Sequence, residues 1–131
     1  MSKYDELSYS DLKKTFLTAY LNRDVEVGLS IIHTVYNKGF DMREFIKSVL
    51  EFVLDCYKFK HNVDDSCFRS QLDEQTKAFF TNSPIAARLD FMIKEGNIET
   101  FMSGLLKLYQ DLANPGMDAT TRIELWFILG I

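Results

Sequence analysis

The sequence predicts an all-α fold, a single-domain orthogonal bundle of five to seven helices. Of its 131 residues, 47% are hydrophobic, including 11 Phe and 6 Tyr, which is enough to fill a core. Only 2 Pro and 6 Gly interrupt the chain. Apolar residues recur every three or four positions, and no stretch alternates with period two. One domain over residues 1–131 is therefore expected, with 1–8 as a flexible N-terminal segment.

The first two helices are predicted from their start signals and apolar stripes. Helix one begins after Ser8 or Ser10. Helix two follows Asp24, an N-cap residue, and ends at Gly39. The residues of the two stripes are Leu12, Phe16, Ala19 and Tyr20, then Gly28, Ile31, Ile32 and Val35.

Residues 36–45, YNKGFDMREF, predict a fixed corner between helices two and three. Gly39 is expected to take a positive φ, and Val35 and Phe40 have the spacing of a Schellman contact. Asp41 is predicted to be the N-cap of helix three. Glu44 is then at N3, which gives the pair the spacing of a capping box. The rings at 40 and 45 have the spacing of a hydrophobic staple.

The later helices follow from the same signals. Helix three runs to about residue 60, and because it is apolar on more than one side it is expected to be central. Residues 61–66 break the pattern, and a fourth helix is predicted over about 67–80. A fifth runs from Ser83-Pro84 to Gly96, a sixth follows Asn97, and a last one begins at Asp118 or Thr120 after the stop at 114–116. The side chains expected to be largely buried are Val35, Phe40, Phe45, Val49, Leu50, Val53, Leu105, Leu108 and Trp126.

Charge and composition exclude several classes of protein. A formal net charge of −4 argues against direct nucleic-acid or membrane-surface binding, since both need basic patches. No apolar run reaches the length of a membrane helix, and the N-terminus lacks the apolar core of a signal peptide. Cys56 and Cys67 make no disulfide framework, so a cytoplasmic location is expected.

Motifs that carry chemistry are missing from the sequence. Neither a phosphate-binding glycine loop nor a metal-binding helix motif occurs, so no cofactor is expected. The residues that zinc could use as ligands are Cys56, His61 and Cys67, with His33 as the fourth. Their spacings are typical of no zinc site. We interpret Cys56 as a small buried apolar residue and His33 as a surface or core histidine.

Residues 24–60 resemble the third domain of the bacterial DNA polymerase III gamma/tau subunit. In that family a helix ends in an "aGxD" corner, and the next helix begins "xxFIxxLLxxLRDLLxxK". Here the corner is Gly39-Phe40-Asp41, Phe45-Ile46 opens the next helix, and Leu54-Asp55 lies in its later part. Residues 105–131 are similar to the family's final two helices, so the resemblance covers about 8–131.

The resemblance implies a fold and a role. It implies the collar of a clamp loader, in which helical domains pack side by side and hold ATPase subunits in a ring during DNA replication. It also implies partners, namely the other clamp-loader subunits, with self-association as a further expectation. Because this chain has no Walker motif, it is expected to be the non-catalytic collar part alone.

The sequence has more large apolar residues than a core of this size needs, and the surplus predicts a subunit interface. Three consecutive residues, Trp126, Phe127 and Ile128, cannot all turn inward from one helix. The two residues of each close aromatic pair, near the end of helix three and in helix four, likewise cannot both face the core. The interface candidates are Tyr57, Phe59, Phe79, Phe80, Phe127 and Ile128.

Two other classes stay open at this point. A small helical adaptor, such as a Bcl-2-like bundle, would bind a partner helix in an apolar groove. Its distinguishing feature would be a central, almost wholly buried helix, and residues 45–60 could form it. A helical enzyme with dispersed acidic residues is the second alternative, although no pair of titrating groups has a recognisable spacing.

Overall fold

The computed structural model describes residues 3–62, 64, 66, 74–114 and 116–130. Within these residues the chain forms seven α-helices and no strand, so the predicted all-α fold is confirmed. The helices are α1 (Tyr9–Leu21), α2 (Val25–Asn37), α3 (Met42–Lys60), α4 (Glu74–Asn82), α5 (Pro84–Glu95), α6 (Ile98–Asp111) and α7 (Ala119–Leu129). The predicted start of the fourth helix, at 67–73, lies outside the described residues.

Four helices begin at N-cap residues that the sequence offers, and the structure has Ser8 rather than Ser10 and Asp118 rather than Thr120. Ser8, Asp24, Ser83 and Asp118 precede α1, α2, α5 and α7, and each side-chain oxygen accepts a hydrogen bond from a backbone N–H of the first turn. These N–H groups have no partner within the helix, so the caps satisfy them and fix each helix start.

The corner between α2 and α3 has the predicted bonding. Gly39 takes a φ of +79°, its N–H donates to the Tyr36 carbonyl (3.0 Å), and the Phe40 N–H donates to the Val35 carbonyl (3.3 Å). These are the two bonds of a Schellman motif. Asp41 then accepts from the Glu44 N–H at 3.0 Å, which confirms Asp41 as an N-cap.

The same pattern of backbone bonds forms two other corners. At the α1–α2 corner the Asp24 N–H donates to the Ala19 carbonyl (2.8 Å), around Arg23 with a φ of +56°. At the α5–α6 corner the Asn97 N–H donates to the Met92 carbonyl (2.9 Å), around Gly96 with a φ of +78°. Each corner sets the direction of the next helix without a long loop.

The chain divides into two compact units. Unit one comprises Met1–Val49 and Gly104–Ile131, and within it α2 packs against both α1 and α7. Unit two comprises Leu50–Ser103, where α4 packs on α5 and the Phe52 ring lies 5.2 Å from the ring of Phe80. Both unit boundaries fall inside a helix, so α3 and α6 each contribute residues to both units.

Most of the predicted core is confirmed, with one error. The confirmed buried residues are Val35, Phe45, Val49, Val53, Leu105, Leu108 and Trp126, and Leu50 is half-buried. The expectation for Phe40 is wrong, because its side chain is 36% exposed. Phe40 follows Gly39 at the outside of the corner, and its ring packs edge-on against Tyr9 at 4.9 Å, covering part of unit one from the surface.

We expect Gly39→Ala to lower the free energy of unfolding by about 1 kcal/mol, because a Cβ is disfavoured at positive φ. No atom lies within 4 Å of the position that the Cβ would take, so the cost is backbone strain rather than a clash. Urea denaturation would measure it. Gly116→Ala is the matched control, since that position is equally open and lacks a positive φ, and it should change stability little. Equal stability of the two variants would contradict the prediction.

Candidate functional site

The last helix, α7, has apolar residues on opposite sides. It starts at Asp118, whose carboxylate accepts from the Thr121 N–H at 3.1 Å, and it ends at Gly130 with a φ of +75°. Its buried residues are Thr120, Ile123, Trp126 and Phe127. The charged residues Arg122 and Glu124 separate this buried side from the outer one.

The inner side of α7 docks on α2 through a close contact. The Phe127 ring lies directly against Gly28, so closely that a Cβ at position 28 would overlap it. The same ring lies 5.5 Å from the rings of Phe16 and Tyr20. Trp126 stacks on Tyr20, with ring centroids 4.4 Å apart and an interplanar angle of 11°. Burial in this cluster raises the pKa of the Tyr20 phenol above its ordinary value.

Polar contacts fix the direction of α7 along α2. The Arg23 guanidinium donates to the Ile128 carbonyl at 2.9 Å, and the His33 imidazole lies 3.6 Å from the Glu124 carboxylate. Contacts therefore move towards the start of α7 as they move towards the end of α2, so the two helices run antiparallel. The last carbonyls of a helix lack partners within the helix, and Arg23 satisfies one of them.

The outward face of α7, formed by Leu125, Ile128 and Leu129, is uncovered. These side chains are 39%, 44% and 62% exposed. They are i, i+3 and i+4 along the helix, so they lie side by side on one surface. Adjacent exposed apolar residues of this kind are typical of an interaction surface, whereas single ones are ordinary.

The interface residues predicted from the sequence fall into three groups. Ile128 is exposed, as an interface residue must be. The expectation for Phe80 and Phe127 is wrong, because both side chains are 0% exposed inside their own units. Tyr57, Phe59 and Phe79 are partly exposed, so their role in an interface stays a prediction.

Unit two explains why Phe80 is not at the surface. Its ring packs against Phe52 at 5.2 Å and Phe59 at 5.4 Å, and Phe79 also contacts Phe52 at 5.4 Å. These four rings form one cluster within the unit. Phe79 and Phe80 are neighbours in α4, so only one of them can point fully inward.

Sequence reasoning missed Leu125 and Leu129 as surface residues. The signal was present, since Ile128 and Leu129 follow Leu125 at separations of three and four residues, the spacing of one helical surface. Because the prediction took aromatic residues as the excess apolar groups, it chose Phe127 instead of the leucines.

The structure places Cys56 and His33, two of the residues considered as zinc ligands, in different surroundings. Cys56 is a free thiol and fully buried, which confirms its interpretation as a small core residue. His33 lies at the surface of α2, with a side chain that is 62% exposed. Across the described part of the chain, no three His, Cys, Asp or Glu residues are grouped so as to hold a metal ion, and Cys67 lies outside it.

Comparison of the chain with models of protein families, with curated proteins and with solved structures found no match. Among the helices that the structure describes, none has both the length and the apolar composition needed to cross a bilayer.

We expect Gly28→Ala to destabilise the protein by about 2 kcal/mol, because the new methyl group must displace the packed Phe127 ring. Gly104→Ala is the matched control in another helix interior. There the nearest atom to the added Cβ is Nε1 of Trp126 at 3.8 Å, an ordinary contact. This control should gain about 0.5–1 kcal/mol from the higher helix propensity of alanine. Urea denaturation would give both values, and a Gly28→Ala protein as stable as wild type would contradict the close contact.

Stability should fall at high pH because of Cys56. Burial raises the pKa of its thiol to about 12 from an ordinary value of 9.0, and the nearby Lys60 charge opposes this only in part. Above pH 9 the unfolded chain releases a proton that the folded chain retains, so the free energy of unfolding should decrease between pH 9 and 12. Linkage sets the full effect at about 4 kcal/mol.

The measurement is urea denaturation across pH 8–11 for wild type and for Cys56→Ala. The substitution removes this proton, so the variant should lose less stability per pH unit than wild type. Parallel curves for the two proteins would contradict the raised pKa.

Proposed function

We propose that the chain is a non-catalytic helical association domain of a clamp loader, a collar domain whose outward face of α7 contacts a neighbouring subunit. The observation that carries the proposal is the double-sided apolar character of α7. Its inner side is used in docking on α2, and its outer side leaves Leu125, Ile128 and Leu129 exposed.

The corner between α2 and α3 supports the clamp-loader part of the proposal. The resemblance to the gamma/tau collar rests on a helix that ends at a glycine and on a capping aspartate that opens the next helix. Gly39, which closes the end of α2 at positive φ, and Asp41 have these two roles here. The order of helices agrees as well, since a polar break precedes the final helix.

The fixed corners support an association role in physical terms. A scaffold must present its docking helix at a defined angle, because binding depends on where the contacting side chains lie as well as on their chemical type. In unit one the corner at Arg23 sets the path of α2, and α2 in turn seats α7 through Gly28. The exposed aliphatic residues are therefore held on a helix that is packed within its unit, and a preorganised surface loses less entropy on binding.

Burial along α3 does not decide between the collar and the groove-binding adaptor. The adaptor needs a central helix that is almost wholly buried. In α3, Glu44 and Lys47 are exposed and the other residues are buried or half-buried, with Asp55 fully buried beside the apolar residues.

A substitution on the outward face of α7 tests the proposal directly. We expect Ile128→Asp to weaken association with purified clamp-loader subunits of the same organism at least tenfold, about 1.4 kcal/mol, because it places a charge in an apolar contact. Sedimentation velocity of the chain mixed with each subunit would measure the change. The fold should persist, since this side chain is 44% exposed.

Phe91→Asp is the matched control. Phe91, on α5, is 62% exposed and no other large apolar residue in unit two is as exposed among the described residues, so the change introduces the same charge at a site where a single apolar group is ordinary. It should leave association unchanged. Wild-type protein that binds no clamp-loader subunit, or equal binding by wild type and Ile128→Asp, would overturn the proposal.

Nucleotide binding separates an association domain from an ATPase. The chain should show no saturable heat of ATP binding by calorimetry at concentrations up to about 1 mM, which corresponds to a binding free energy weaker than about −4 kcal/mol. The reason is that the sequence contains no glycine-rich phosphate loop. Micromolar ATP binding would contradict the non-catalytic assignment.

A further inference from the structure

We draw no further inference here: the strongest candidate, the outward face of α7 formed by Leu125, Ile128 and Leu129, belongs to the surface already proposed for subunit contact, and nothing in the structure shows which partner covers it.

Discussion

The contact between Phe127 and Gly28 is the constraint on which the arrangement of unit one depends. Glycine leaves a notch on α2, and the ring that fills it fixes both the distance and the rotation of α7. With that rotation set, Trp126 must lie against Tyr20, and helical geometry turns Leu125 and Ile128 outward. The buried and exposed sides of α7 thus have one common cause.

Arg23 connects the first corner of the chain with its last helix. A non-glycine residue at positive φ costs free energy, of order 1 kcal/mol, and such strain persists where surrounding contacts hold it. Here the guanidinium donates to the Ile128 carbonyl and lies 5.3 Å from the Tyr20 ring centroid and 5.8 Å from that of Phe127. The turn conformation and the end of α7 therefore stabilise each other, although they lie at opposite ends of the sequence.

Local signals explain which features could be predicted. Caps and left-handed corner positions depend on a few neighbouring residues, so the sequence alone predicts Asp24 and Gly39 correctly and offers Asp118 as one of two starts for α7. The consecutive residues at 126–128 showed that one side chain must face out. Which one it is depends on the notch at Gly28, a contact between distant parts of the chain that no local pattern contains. Phe80 was misjudged for the same reason, because its cluster partner Phe52 belongs to a different helix.

The place of Trp126 has an optical consequence. It is the single tryptophan of the sequence and belongs to unit one. The residue is only 3% exposed, and its ring stacks on Tyr20. Its fluorescence therefore reports the loss of packing in unit one alone, whereas the circular dichroism of the amide groups reports helices of both units. Coincident transitions from two such probes are the ordinary sign of two-state unfolding. One indole ring thus provides a native label with which the cooperativity between the two units can be measured without adding any dye.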